Sequence, residues 1–166
     1  MTAKLIGVVL FVICGGIIGY GRLREIKRQL AVIEEMDSSL ALMESEIALC
    51  ERSLPDIFEN LTLKCAKHCS GAFSKMRDVC LVSSAGEAWR GGVETLELVG
   101  EAENALLALG GVLGATDGKR QSAEIANARI TLLAVKEKLS KEMNEKGKSY
   151  PLLGFCIAGI VALMLV

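Results

Sequence analysis

Seventeen consecutive residues between Lys4 and Arg22 carry no charge, and no charged side chain follows Lys148 as far as Val166. All but one of the ionic side chains therefore lie between Arg22 and Lys148. Segments 5–21 (LIGVVLFVICGGIIGYG) and 149–166 (SYPLLGFCIAGIVALMLV) are each just long enough to cross a hydrocarbon core of about 30 Å at about 1.5 Å per helical residue. Each is read as a transmembrane helix. Their glycines would weaken a helix in water, but in lipid they are tolerated because small residues let helices approach closely. Tyr20 and Tyr150 fall at the inner ends, where an aromatic ring with one polar atom suits the headgroup layer.

A secretory signal peptide competes for the first segment, since one lysine, an apolar run and the small residues Gly19 and Gly21 also fit that pattern. Charge argues against cleavage and translocation. Arg22, Arg24, Lys27 and Arg28 follow the apolar run at once, and positive charge there holds that side in the cytoplasm. Lys136, Lys138, Lys141, Lys146 and Lys148 precede the second segment in the same way. The expected topology is a hairpin in the membrane, with both termini outside and residues 22–148 forming one cytoplasmic domain. Two helices that are apolar all round would need a larger surrounding protein if they were merely core.

Overall composition excludes other classes. Nineteen basic and twenty acidic residues nearly cancel, so the global field is not that of a nucleic-acid binder. With 51% hydrophobic residues and a mean hydropathy of +0.40, the chain is too apolar for disorder.

Between Arg22 and Cys50 no proline or glycine interrupts, and apolar residues fall at Leu23, Ile26, Leu30, Ile33, Met36, Leu40, Met43, Ile47 and Cys50. Steps of three and four predict one amphipathic helix. Run straight on from the first segment, it would be about 70 Å long. Glu25, Glu34, Glu35, Glu44 and Glu46 read as its solvated face. Pro55 opens a second helix with Asp56 and Glu59 in its first turn, carrying Ile57, Phe58, Leu61, Leu63 and Cys65 on its apolar side and ending at Ser70-Gly71. A third helix is expected over about 72–81. Ser83, Ser84 and Gly86 read as a turn before a short helix with Trp89. The spacing of Leu96, Val99, Leu106, Leu109 and Leu113 predicts a further helix, broken at Gly114. Asp117 is the expected N-cap of the last helix, which has Ile125, Leu132, Val135 and Leu139 on one face. No window alternates like a strand. The fold class is all-α: a bundle of about five or six helices flanked by the two membrane helices.

Chemistry-bearing patterns are few. Cys65, His68 and Cys69 stand at i, i+3 and i+4, a spacing that would bring three soft ligands to one helix face, with Cys50 or Cys80 as a fourth. Cytosolic cysteine is more often a small buried hydrophobe, so no metal is expected, and these three are the candidate set if one binds. A thiol or metal sensor is the rival function. The run from Gly110 to Arg120 superficially resembles a phosphate loop, but only three residues separate Gly114 from Gly118-Lys119, and Arg120 stands where a hydroxyl would hold Mg²⁺. The one histidine shows no carboxylate partner in the sequence, so no nucleophile and base pair up. Trp89 is read as a core filler in preference to a partner anchor. No enzyme, cofactor, nucleic acid or small-molecule substrate is expected. A coiled-coil dimer through the Leu23 to Cys50 stripe is a second rival.

The pattern Leu109-Gly110-x-x-Leu113-Gly114-x-x-Asp117-x-x-x-Gln121, then Lys146-Gly147-Lys148 and a closing apolar segment beginning Leu152-Leu153-Gly154, resembles the stage III sporulation protein AB family. The glycine-rich first segment, Glu44-Ser45-Glu46-Ile47 and Ser53-Leu54-Pro55 lie where that family has them, so the likeness covers nearly the whole chain. It implies a membrane component of the channel between mother cell and forespore. The helical region would be similar to one copy of the helical domain of the type II secretion F component. It would dock a hexameric secretion-type ATPase, stage III sporulation protein AA, and other membrane proteins of the channel complex, on the mother-cell side of the engulfing membrane. Leu109, Gly110, Leu113, Gly114, Asp117 and Gln121 are the structural or interaction residues so implied, and Trp89 joins them from its own reading above. Arg22, Arg24, Lys27, Arg28, Lys146 and Lys148 orient the chain against anionic lipid, at about 1 kcal/mol per charge near the surface.

Overall fold

The computed structural model describes residues 2–50 and 52–146, and the surroundings of side chains for 17, 20–48 and 52–145. Among the described residues six helices follow in order: α1 Thr2–Cys50, α2 Leu54–Lys64, α3 Ser70–Cys80, α4 Ala85–Glu94, α5 Glu101–Leu109 and α6 Gly118–Lys146. The described residues contain no strand. The chain divides into two compact units, one of residues 31–137 and the other of the chain up to Leu30 and from Lys138 onward.

Both charge-free segments bear on the membrane reading. The backbone of 5–21 is helical within α1, but most of its side chains, and all of 149–166, lie outside the described residues. Among the residues that are described, no helix is long and apolar enough to cross a membrane.

In the unit of residues 31–137, α1 supplies the central strip. Ile33, Met36, Leu40 and Met43 are fully buried, as helical periodicity requires. Because this burial is reached within one chain, these side chains are not available to pair with a second copy, which removes the coiled-coil dimer for this part of the stripe. Pro55 sits in the first turn of α2, where its missing N–H is no loss. Ile57, Phe58 and Leu61 of α2 meet Ala72, Phe73 and Met76 of α3 in the core, and α3 packs in turn on α4. Phe58 stacks on Trp89 with ring centres 6.3 Å apart. Ile125, Ala128 and Leu132 are the buried residues of α6. Arg129 fastens α6 to α1: its Nε donates to Asp37 Oδ1 at 2.9 Å and its Nη1 to Glu44 Oε2 at 3.2 Å. Those bonds, to Asp37 above all, hold the guanidinium proton still more firmly than usual.

Three boundaries differ from the periodicity. The second helix does not run to Ser70-Gly71; it stops at Lys64, and Ser70 begins α3 instead. Leu63, placed on its apolar side, is 80% exposed. Second, Gly86 is not in a turn but in the first turn of α4, which Ser84 caps by accepting from the Glu87 N–H at 3.3 Å. The Ser-x-x-Glu spacing of a capping box was the available signal. Third, Leu96 and Val99 precede α5 in a connection where Glu97 and Gly100 have φ of 50° and 72°. Gly100 adopts that conformation without steric cost and so separates α4 from α5.

The other unit comprises the chain up to Leu30 and from Lys138. Ile26 is buried there, and the Glu25 carboxylate accepts from Arg28 at 2.8 Å and from Gln29 at 2.9 Å.

Candidate functional site

The segment from Leu109 to Gln121 is a reverse turn held from inside. α5 closes at Leu109, whose carbonyl accepts from the N–H of both Val112 and Leu113 at 3.0 Å. Gly114 takes φ of 73°, a left-handed conformation that side chains disfavour, and a Cβ there would also come within 3.0 Å of the Ala85 Cβ and 3.3 Å of Leu54 Cδ1. Gln121 clamps the turn from the first coil of α6. Its Nε2 donates to the Thr116 carbonyl at 2.7 Å, and its Oε1 accepts from the Gly114 N–H at 3.4 Å. Asp117 is the N-cap, accepting from the Arg120 N–H at 3.2 Å. Leu109 and Leu113 anchor the turn to the core.

Gly110 brings two backbones together, and its partner is Gly86, which the sequence placed in a turn. A Cβ on Gly110 would lie 3.2 Å from the Gly86 carbonyl oxygen, and a Cβ on Gly86 would collide with the Gly110 carbonyl. Trp89 is fully buried, so it serves as a core filler rather than a surface anchor. Its indole N–H donates to the Leu106 carbonyl at 2.6 Å. That carbonyl lies in the last turn of α5, where the Gly110 N–H turns to Leu107 instead. Trp89 thus satisfies one of the carbonyls that a helix end leaves open.

The candidate metal set is corrected. Cys65, His68 and Cys69 do not share a helix: Cys65 is the C-cap of α2, His68 lies in the connecting turn and Cys69 is the N-cap of α3. Among the described residues no three of His, Cys, Asp and Glu are placed to hold a metal ion. Nor is the histidine without a carboxylate. Glu35 accepts from the backbone N–H groups of His68 at 3.1 Å and Cys69 at 2.9 Å, and its Oε2 stands 3.2 Å from His68 Nδ1. This explains the early end of α2, because Glu35 replaces the carbonyls that a continuing helix would have supplied. Cys65 Sγ shares a hydrogen with Ser39 Oγ at 2.9 Å, and burial pushes both the Cys65 and Cys69 thiols up, away from the reactive thiolate.

The acidic face of α1 is corrected with it. Glu35 is largely buried against the α2–α3 turn, and Glu46 is buried, its Oε1 accepting from Asn60 Nδ2. Val32, Glu35, Ser39 and Glu46 form a second row at steps of three, four and seven beside the apolar stripe, the signal that could have placed them. Of the orienting cations, Arg24 and Lys27 are exposed, Arg22 stands 4.0 Å from Glu142, and Arg28 is bonded to Glu25. The Lys146 side chain and Lys148 lie outside the described residues.

These elements define an all-α bundle protein whose singled-out residues shape turns and helix ends. The chain belongs to the stage III sporulation protein AB (spore_III_AB) family, whose model matches residues 4–166, and with that family comes a role in sporulation. A solved structure of a stage III sporulation protein AB (SpoIIIAB) is 21% identical, covers 71% of this chain and 98% of that chain, and superposes with a TM-score of 0.65, which shows the shared fold. Among curated proteins none matches.

Proposed function

We propose that this chain is a non-enzymatic, two-pass membrane component of the channel complex that joins mother cell and forespore, docking a hexameric secretion-type ATPase, stage III sporulation protein AA, on its helical bundle. The observation that carries the reading is how the family-like residues are used. Gly110, Leu113, Gly114, Asp117 and Gln121 shape and cap the turn between α5 and α6, whose residues Gly114, Ala115 and Asp117 to Arg120 are exposed to a partner. The charge-free segments 5–21 and 149–166, each bordered by cations, supply the anchors. The cations favour the cytoplasmic side for the bundle, and the family resemblance implies the mother-cell side of the engulfing membrane.

The test is extraction and co-elution. Expressed with the ATPase, the full tagged chain should stay in alkali-washed membranes and, after detergent extraction, should bring the ATPase through affinity purification. A chain released without detergent would defeat the anchoring, and an ATPase left in the flow-through would defeat the docking.

A further inference from the structure

Charge is segregated inside the unit of residues 31–137. Between Glu59 and Asp78 every ionic side chain is basic, namely Lys64, Lys67, Lys75 and Arg77, whereas between Arg90 and Lys119 every one is acidic. The two runs reach the surface at the α2–α3 turn and at the α4–α5 connection. Leu63, Lys64 and Lys67 are exposed at the first, and Glu94, Val99 and Glu101 at the second. Each tip thus offers a large apolar side chain among charges of one sign, Leu63 at 80% and Val99 at 68% exposure.

Helix α3 brings the tips to one end. It packs against both α2 and α4, and α4 closes beside its first turn, where a Cβ on Gly92 would stand 3.0 Å from the Ala72 carbonyl oxygen. The cationic turn before α3 and the acidic connection after α4 therefore share an end of the unit. They do not neutralise one another: among the described residues Lys64, Lys67, Glu94 and Glu101 make no ion pair.

An occupant has to answer both signs. A nucleic-acid backbone or an anionic lipid surface would meet the cations but be repelled by the carboxylates. A uniformly acidic or basic segment would satisfy one tip and oppose the other. A second copy of the chain carries both, and a half-turn lays each tip on its opposite, giving two equal contacts for one symmetry operation.

We propose that this end of the unit binds a second copy of the chain about a two-fold axis, with Lys64 and Lys67 of each copy facing Glu94 and Glu101 of the other and Leu63 set against Val99. Burial of the two apolar side chains favours the contact, and the charges set its register, because laying like tip on like would be repulsive. The pairing is a property of the chain alone and does not depend on the docking of an ATPase.

The experiment is light scattering of the full chain in detergent micelles, with the protein mass separated from that of the detergent. At about 0.05 M salt the chain should form a dimer, and about 0.5 M salt should weaken it several-fold. Lys64→Glu/Lys67→Glu and Glu94→Lys/Glu101→Lys should each weaken the dimer by about tenfold or more, since both contacts then oppose like charges. The fourfold variant that carries all of these changes keeps the net charge of the unaltered chain and should dimerise again. So should an equimolar mixture of the two double variants. Blue-shifted emission from the buried Trp89 reports that each variant is folded. A monomer up to about 1 mM overturns the pairing. So does a dimer that survives both reversals, which would form through another surface, and so does a dimer that neither the fourfold exchange nor mixing restores in folded protein.

Discussion

Gly86 in the first turn of α4 and Gly110 at the end of α5 meet backbone to backbone, so closely that a methyl group on Gly86 would occupy the space of the Gly110 carbonyl oxygen. Neither backbone has a flexible side chain that could give way. Gly86→Ala should therefore destabilise the protein by about 1–3 kcal/mol, although alanine is intrinsically the better helix residue. Gly111→Ala, where the nearest atom stands at an ordinary 3.7 Å, should be close to neutral. Chemical denaturation of the two variants measures the difference, and equal midpoints would refute the contact.

Trp89 is the one tryptophan of the chain and is fully buried. Its emission should be blue-shifted in the folded state and should move to the red in a single transition on unfolding of residues 31–137. Trp89→Phe keeps much of the ring against Phe58 but strands the Leu106 carbonyl, at a cost of about 2–3 kcal/mol. A thermal melt of the variant followed by circular dichroism tests this.

Asp117→Ala should cost about 1 kcal/mol through loss of the α6 cap, and Asp117→Asn should recover most of it. Unchanged urea midpoints for the alanine variant would remove the cap.

Glu35→Ala leaves the N–H groups of His68 and Cys69 without their acceptor, and should lower stability by about 2–3 kcal/mol. It should also speed alkylation of Cys69, which native packing keeps slow, whereas the half-buried Cys65 should react sooner than Cys69 in the unaltered chain. Mass spectrometry of iodoacetamide-treated protein separates the two thiols. Equal rates in both proteins would show that Glu35 does not hold the turn.

Hydrogen bonds from Arg28, then from Gln29, hold the Glu25 carboxyl down at about 2. A depressed carboxyl contributes stability that is complete above its unfolded value near 4.5 and is lost as the pH falls through about 2. The group is half-exposed, so the contribution is that of a helix-surface pair, about 0.3–0.5 kcal/mol. Glu25→Gln should remove it from the acid limb of a stability titration, and a Glu25 carbon signal titrating near 4.5 would contradict the bonding.

Much of this architecture was legible because it is local. The steps of three and four from Leu23 to Ile47 specify a helix with one buried side whatever it packs against, Pro55 can only open α2, and the Asp117 side chain caps the residues that follow it. What was misread depends on distant partners. Cys65, His68 and Cys69 look helical by spacing, yet Glu35, more than thirty residues earlier in the chain, takes the N–H groups that would have continued α2. Gly86 belongs to α4 by the local Ser84 cap, but only packing brings Gly110 beside it, and Asn60 reaches Glu46 from another helix.

By itself the amino-acid order determined the helices, the apolar stripe, the α6 cap and the confinement of charge to the middle of the chain, since each arises from neighbours within a turn or two or from an uninterrupted run. Tertiary structure alone decided where α2 stops, which glycines touch and which partners the buried acids take. Those outcomes depend on competition between a local hydrogen bond and a distant one, and only packing brings the distant group within reach.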